Sequence, residues 1–212
     1  KYIEIFIILA FITISSTYAQ VVRFAAIGDY GGFIENGGAG ELAVANMVKS
    51  WDTDPSFFII TLGDNNYFPT VEGYATIDYN IGQFYHQYIY PYNQAGFSPG
   101  YSPNPQTVNR FFPALGNHDH YGNAVYAHYL YFVFTNVNIG NSGAYPGGRR
   151  YYDFQKGNTH FFCLNTGTDP QNHTGIDFYS EPDGIDSNSI QGQWLKSRML
   201  QSTAKWKIVY LH

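Results

Sequence analysis

The sequence predicts an α/β fold, and three observations predict it. Three short apolar runs each stop at a glycine and then present a metal-ligand type of side chain. Residues 21–27 lead into Gly28-Asp29-Tyr30-Gly31, residues 57–62 into Gly63-Asp64-Asn65-Asn66-Tyr67, and residues 111–115 into Gly116-Asn117-His118-Asp119. Segments with helical spacing fall between and after these runs. A further apolar run over residues 206–211 leads into His212. Laid parallel in one sheet, such strands share a carboxyl edge, where open α/β sheets build their sites.

The remaining elements follow in order. Residues 40–48 have helical spacing after a glycine-rich entry, and residues 77–90 carry Ile77, Ile81, Tyr85 and Ile89 four apart. Residues 92–105, rich in Pro, Gly, Asn and Ser, form a long loop, and residues 123–134 a third helix. Residues 149–154 and 159–164, split by Gln155-Lys156-Gly157-Asn158, read as a β-hairpin. Residues 166–184 form a second long loop. Residues 187–201 read as a helix with an apolar stripe of Ile190, Trp194 and Leu195, and with Lys196 and Arg198 toward the end that favours cations.

Composition narrows the class. A chain of 212 residues suits one domain with a real core. The net charge of −5 and the lack of a basic run argue against nucleic acid as a partner. Residues 1–19 have the form of a secretory leader. Lys1 precedes an apolar stretch over residues 5–14, and Thr17 and Ala19 are the small residues before a cut after Ala19. The stretch falls short of the about 20 residues that span a bilayer. The expected product is a domain over residues 20–212, secreted or held in a lysosomal or vesicular lumen, monomeric, and off the membrane once cleaved. Cys163 lies in an apolar run and reads as a free buried thiol. Asn172-His173-Thr174 is a glycosylation signal in a polar loop.

The chemistry rests on the three motifs. Asp29 and Asp64 are metal ligands by type, and one aspartate can bridge two cations about 3.5–4 Å apart that clamp a phosphate ester. Asn117 offers a neutral carbonyl oxygen, usual beside hard cations. His212 offers a nitrogen that favours zinc, iron or manganese over calcium. Tyr67 discriminates among these, because a tyrosine ligand must lose its proton and a strongly acidic cation such as Fe(III) makes that easy. His118 follows Asn117 and is placed to donate a proton to a leaving alkoxide, with Asp119 to orient it. His86, His128, His160 and His173 read as structural or surface residues, and His120 has no assigned role.

These segments, with the strand before His212, resemble the calcineurin-like metallophosphoesterases. Tyr67, three residues after Asp64, and the run from Gly116 to Asn123 resemble the small, tartrate-resistant purple acid phosphatases in particular. The resemblance implies a four-layer α/β/β/α sandwich and a binuclear centre. Asp29 and Tyr67 would hold Fe(III), Asp64 would bridge, and Asn117 and His212 would hold Fe(II), Zn(II) or Mn(II). His118 would contact the phosphate or leaving group, with small phosphate esters or phosphoproteins as substrates. The family supplies further histidine ligands from a Gly-His-x-His segment, which is not found before His212. The resemblance therefore implies a sandwich incomplete at its C-terminal side and an inactive fragment. Two other readings compete: a metallophosphoesterase with other metals acting on nucleotides or phosphodiesters, and a non-catalytic secreted binding protein with tyrosine-rich loops.

Overall fold

The computed structural model describes residues 21–31, 38–67, 77–92, 107–120, 131–132, 136–140, 150–167 and 181–212. The leader, the Asn172 signal, His128, His173 and most of the helix expected over 123–134 lie outside the described residues, as do large parts of both long loops. Among the described residues no helix is long and apolar enough to cross a membrane.

The first sheet is parallel, with β1 (Phe24–Ile27), β2 (Phe58–Thr61) and β3 (Phe111–Pro113) side by side. Ile27 pairs with Thr61 and Thr61 with Pro113, so the strands end level and the three motif loops leave from one edge. A parallel strand buried on both faces needs an unbroken apolar run. The Phe-Ile-Ile-Thr of β2 meets that need, and all of it is buried. Helix α1 (Ala39–Trp51) makes the crossover from β1 to β2 and buries Ala45 and Val48. The segment called α2 is helical, as expected, but irregularly wound. It opens in a π turn at Asp78–Gly82, tightens to an α turn at Gln83–Tyr85 and ends as a 3-10 turn at His86–Tyr88. Its stripe of Ile77, Ile81, Tyr85 and Ile89 is buried.

The second sheet runs β4 (Asn138–Ile139), β5 (Tyr152–Lys156), β6 (Thr159–Cys163) and β7 (Trp206–Tyr210). The β5–β6 hairpin turns on Gly157-Asn158 alone, two residues tighter than expected, because Gly157 takes a φ of 53°. Helix α3 (Ile190–Gln201) joins β6 to β7, which lie parallel. The strand before His212 therefore does not share a sheet with the three motif strands. It forms a local βαβ unit with β6, its sequence neighbour, and consecutive elements pair by preference. Helix α3 starts at Ile190 because Ser189 caps it, its hydroxyl accepting from the Gly192 N–H at 3.1 Å. Ile190 is exposed, so the stripe expected there shifts. Trp194 packs edge-on against Tyr151, and Arg198 grips Asp153 at 2.6 Å.

Side-chain alternation along the strands sets the layers. Phe112 stacks on Phe154 at 3.9 Å, and Phe58 meets Phe154 and Phe161 edge-on, so these rings fill the space between the sheets. Phe111, one residue along, faces Tyr85 of α2 instead. Asp153 and His160 face outward under α3, with His160 Nε2 2.9 Å from Asp153 and Nδ1 2.9 Å from Ser202. The order is helix, sheet, sheet, helix, as a four-layer sandwich requires. Cys163 is buried and free, and burial pushes its thiol up to about 12.

Candidate metal centre

The site begins with two backbone anomalies. Asp29 has a φ of 52° and Asp64 a φ of 51°. The left-handed region costs an L-residue roughly 1–2 kcal/mol, and aspartate is among the few that visit it. Among the motif glycines the left-handed turn is taken once. Gly63 takes it, at 89°, whereas Gly28 has no positive φ. Gly31 and Gly116 serve close approach instead. A β-carbon on Gly31 would strike the Asn65 backbone, and one on Gly116 the Asp64 backbone and carboxylate. The first two loops are laced together: Asp29 N–H donates to Gly63 O at 3.1 Å, and Tyr67 N–H to Gly31 O at 3.3 Å.

The predicted ligands then converge. Ligand atoms of Asp29, Asp64 and His212 lie within 4.8 Å of one another. Asn117 Oδ1 is 3.0 Å from His212 Nε2, and Asp64 Oδ2 is 3.5 Å from it. Tyr67 donates its hydroxyl to Asp29 Oδ1 at 2.9 Å. His212 Nδ1 sits 2.8 Å from the Leu62 carbonyl, which can only accept, so Nδ1 carries the ring's proton. In the neutral ring Nε2 is then a lone pair, and it faces a carboxylate oxygen and an amide oxygen. Acceptors turned toward one another in this way fit a cation, and the carbonyl behind Nδ1 is the usual partner of a metal-bound imidazole. Oxygen donors with one nitrogen suit hard or borderline divalent and trivalent ions. His212 reaches this group from the second sheet, and all the others come from the first.

Burial and the carboxylates of Asp29 and Asp64 push the Tyr67 phenol well above its ordinary range. Tyr67 is thus a neutral donor to Asp29, and a cation taking both oxygens must displace its proton. The His118 ring lies 4.4 Å from the Tyr67 ring, and its backbone N–H donates to Asp64 Oδ1 at 3.0 Å. The expected partnership of His118 with Asp119 does not occur. The buried Asp119 carboxylate accepts from the backbone N–H groups of Asn65, Asn66 and Gly116 and from Asn65 Nδ2. It sits on the inner side of a single 3-10 turn, His118–His120, and braces the second loop instead.

Several residues that build the site were missed in the sequence. Buried Asn65 accepts from Tyr30 Oη and Thr61 Oγ1 and donates to Ala114 O and Asp119, so one amide joins all three motif loops. Nothing marks it in the sequence except its place beside Asp64. Glu41 on α1 is buried in the wall of a cavity of about 670 Å³ that also borders Asp29 and Tyr67. Burial pushes its carboxyl up to about 9.

A family model described as calcineurin-like phosphoesterase matches residues 22–212. The chain belongs to the calcineurin-like phosphoesterases, metal-dependent hydrolases of phosphate esters with a binuclear metal centre. No curated protein sequence matches it.

Proposed function

We propose that this protein is a secreted acid phosphatase of the purple type, hydrolysing phosphate monoesters at an Fe(III)–divalent metal centre. The observation that carries the reading is the Tyr67 hydroxyl, 2.9 Å from Asp29 within the same group as Asp64 and His212. A phenol held well above its ordinary pKa serves as a ligand only to a cation acidic enough to take its place. Asp29 and Tyr67 would hold Fe(III), Asp64 would bridge, and Asn117 and His212 would hold Fe(II), Zn(II) or Mn(II). Such a pair supplies charge neutralisation for the phosphate and lowers the pKa of water. His118, beside Tyr67 and outside the ligand group, protonates the leaving oxygen. Its turn is pinned by Asp64 and Asp119, so the ring needs little reorganisation to do so.

The test uses the full-length protein loaded with iron and zinc. Metal analysis, visible absorption and hydrolysis of an aryl phosphate at acidic pH are measured on wild type and Asp64→Asn. The expected wild type is violet or pink, holds iron and is active. The expected variant loses at least one metal and nearly all turnover. A colourless, iron-free protein that is fully active, or that prefers nucleotides or phosphodiesters, would overturn the purple assignment. Near-normal metal content and rate in Asp64→Asn would remove Asp64 from the bridge.

A further inference from the structure

The turn that carries His118 is one turn of 3-10 helix, too short to hold its own shape. Asp119 ties it to the first sheet. Its other end, His120, points away toward the second sheet, where His120 Nε2 lies 3.1 Å from Asn165 Oδ1. Asn165 follows β6 and is held on every side. Its backbone N–H donates to Gln191 Oε1 at 2.8 Å and its carbonyl accepts from Gln191 Nε2 at 2.9 Å, which fixes it to α3. Its Nδ2 donates to Glu181 Oε2 at 2.7 Å. Glu181 is clamped by the fully buried Arg150, whose Nε lies 2.9 and 3.1 Å from its two oxygens.

These contacts form a relay of orientation. A carboxylate only accepts, so Glu181 turns the Asn165 amide with nitrogen toward itself and oxygen toward His120. An amide oxygen also only accepts, so His120 must carry its proton on Nε2. The next residue, Thr166, donates its hydroxyl to the His212 carbonyl oxygen at 2.7 Å. The segment after β6 therefore touches the site twice, at the turn bearing His118 and at His212.

The geometry points to His120 and Asn165 as positioning residues for this reaction: the His120–Asn165 bond sets His118 against the centre, and Thr166 sets His212. The inference rests on the phosphatase reading, but the bond has its own readout. The experiment compares wild type, His120→Ala, His120→Gln and Asn165→Ala in the metal-loaded full-length protein. Glutamine carries an N–H near the place of Nε2 and restores the bond. The ¹⁵N and ¹H signals of the His118 ring are followed by NMR in all four. They should shift in His120→Ala and Asn165→Ala and return in His120→Gln. Hydrolysis of esters with poor leaving groups should fall about 10–100-fold in kcat in the two alanine variants with KM little changed, the usual effect of losing an outer-shell partner. Esters of acidic phenols should lose less, and His120→Gln should recover most of the rate. Equal His118 signals in all four proteins would overturn the inference, as would a His120→Gln variant no better than His120→Ala. If wild type hydrolyses no ester, the phosphatase reading fails, and the His118 signals alone decide whether the bond positions the ring.

Discussion

Asp29 and Asp64 hold two unfavourable conditions at once: a left-handed backbone and carboxylates gathered within 4.8 Å of a shared histidine. Strain of this sort collects where function needs it. The consequence is measurable without metal. In chelator, Asp29→Gly should be at least as stable to urea as wild type, with a gain of up to about 1 kcal/mol from relief of φ strain. It should also fail to take up metal. A clear loss of stability in that variant would mean the backbone there is not strained. Tyr67→Phe should bleach the visible band of the iron-loaded protein, and an unchanged spectrum would take Tyr67 out of the coordination sphere. His118→Ala should keep both metals and slow esters of poor leaving groups by about 10²–10⁴, the range of a general acid. At this scale the sequence was informative about which side chains gather, because Asp, Asn, Tyr and His after strand-ending glycines are chemically distinctive. It was silent on which residue carries the positive φ, because glycine and aspartate both tolerate it and only the loop path chooses. It also misdirected Asp119, whose neighbour in sequence is His118 but whose neighbours in space are the Asn65, Asn66 and Gly116 amides.

At the scale of elements, the loops matter more than the helices that flank them. Gly31 and Gly40 make the contrast. Among the described residues a methyl group at Gly40 meets nothing within 4 Å on helix α1, and one at Gly31 meets backbone. Gly40→Ala should therefore stabilise the protein by about 0.5–1 kcal/mol through helix propensity. Gly31→Ala should separate the first two loops and weaken metal binding, read by titration with Zn(II). Helix α1 also sets a pH dependence through Glu41. Its folded pKa of about 9 lies above the ordinary carboxylate value of 4.5, so the folded state binds the extra proton between those limits. Stability then falls as pH rises from about 4.5 to 9. In chelator, Glu41→Gln should flatten that fall, and parallel stability–pH curves for the two proteins would disprove it. The helices and strands were legible because their apolar periodicity is strong. The Ile190 stripe misled because Ser189 caps the helix one residue before it and starts the helix on a different face.

At the scale of the molecule, the aromatic layer between the sheets is what brings His212 to the rest of the site. Phe154 stacks on Phe112 at 3.9 Å and on Phe161 at 5.1 Å. Phe154→Ala should destabilise the fold by about 3–5 kcal/mol, the usual range for a buried phenylalanine. It should also weaken metal binding, although no ligand has changed. Metal affinity equal to wild type in a destabilised Phe154→Ala protein would show that the site forms on the first sheet alone. The sequence placed all four site strands on one edge. Strand partners are decided by which elements follow one another, and the β6–α3–β7 unit put the fourth strand in the opposite sheet.

His212 bonds to Leu62 across 150 residues of chain and faces Asn117 across 95. Contacts so distant in sequence form late, since the loop between them must first be closed. A cation that needs His212 therefore binds after the aromatic layer has zipped, and arrives as a record of completed assembly. In a refolding experiment followed by both tryptophan fluorescence and metal uptake, the metal signal should lag. Its delay is a clock for the closing of the two sheets, and a chelator added during that interval halts loading without halting the fold.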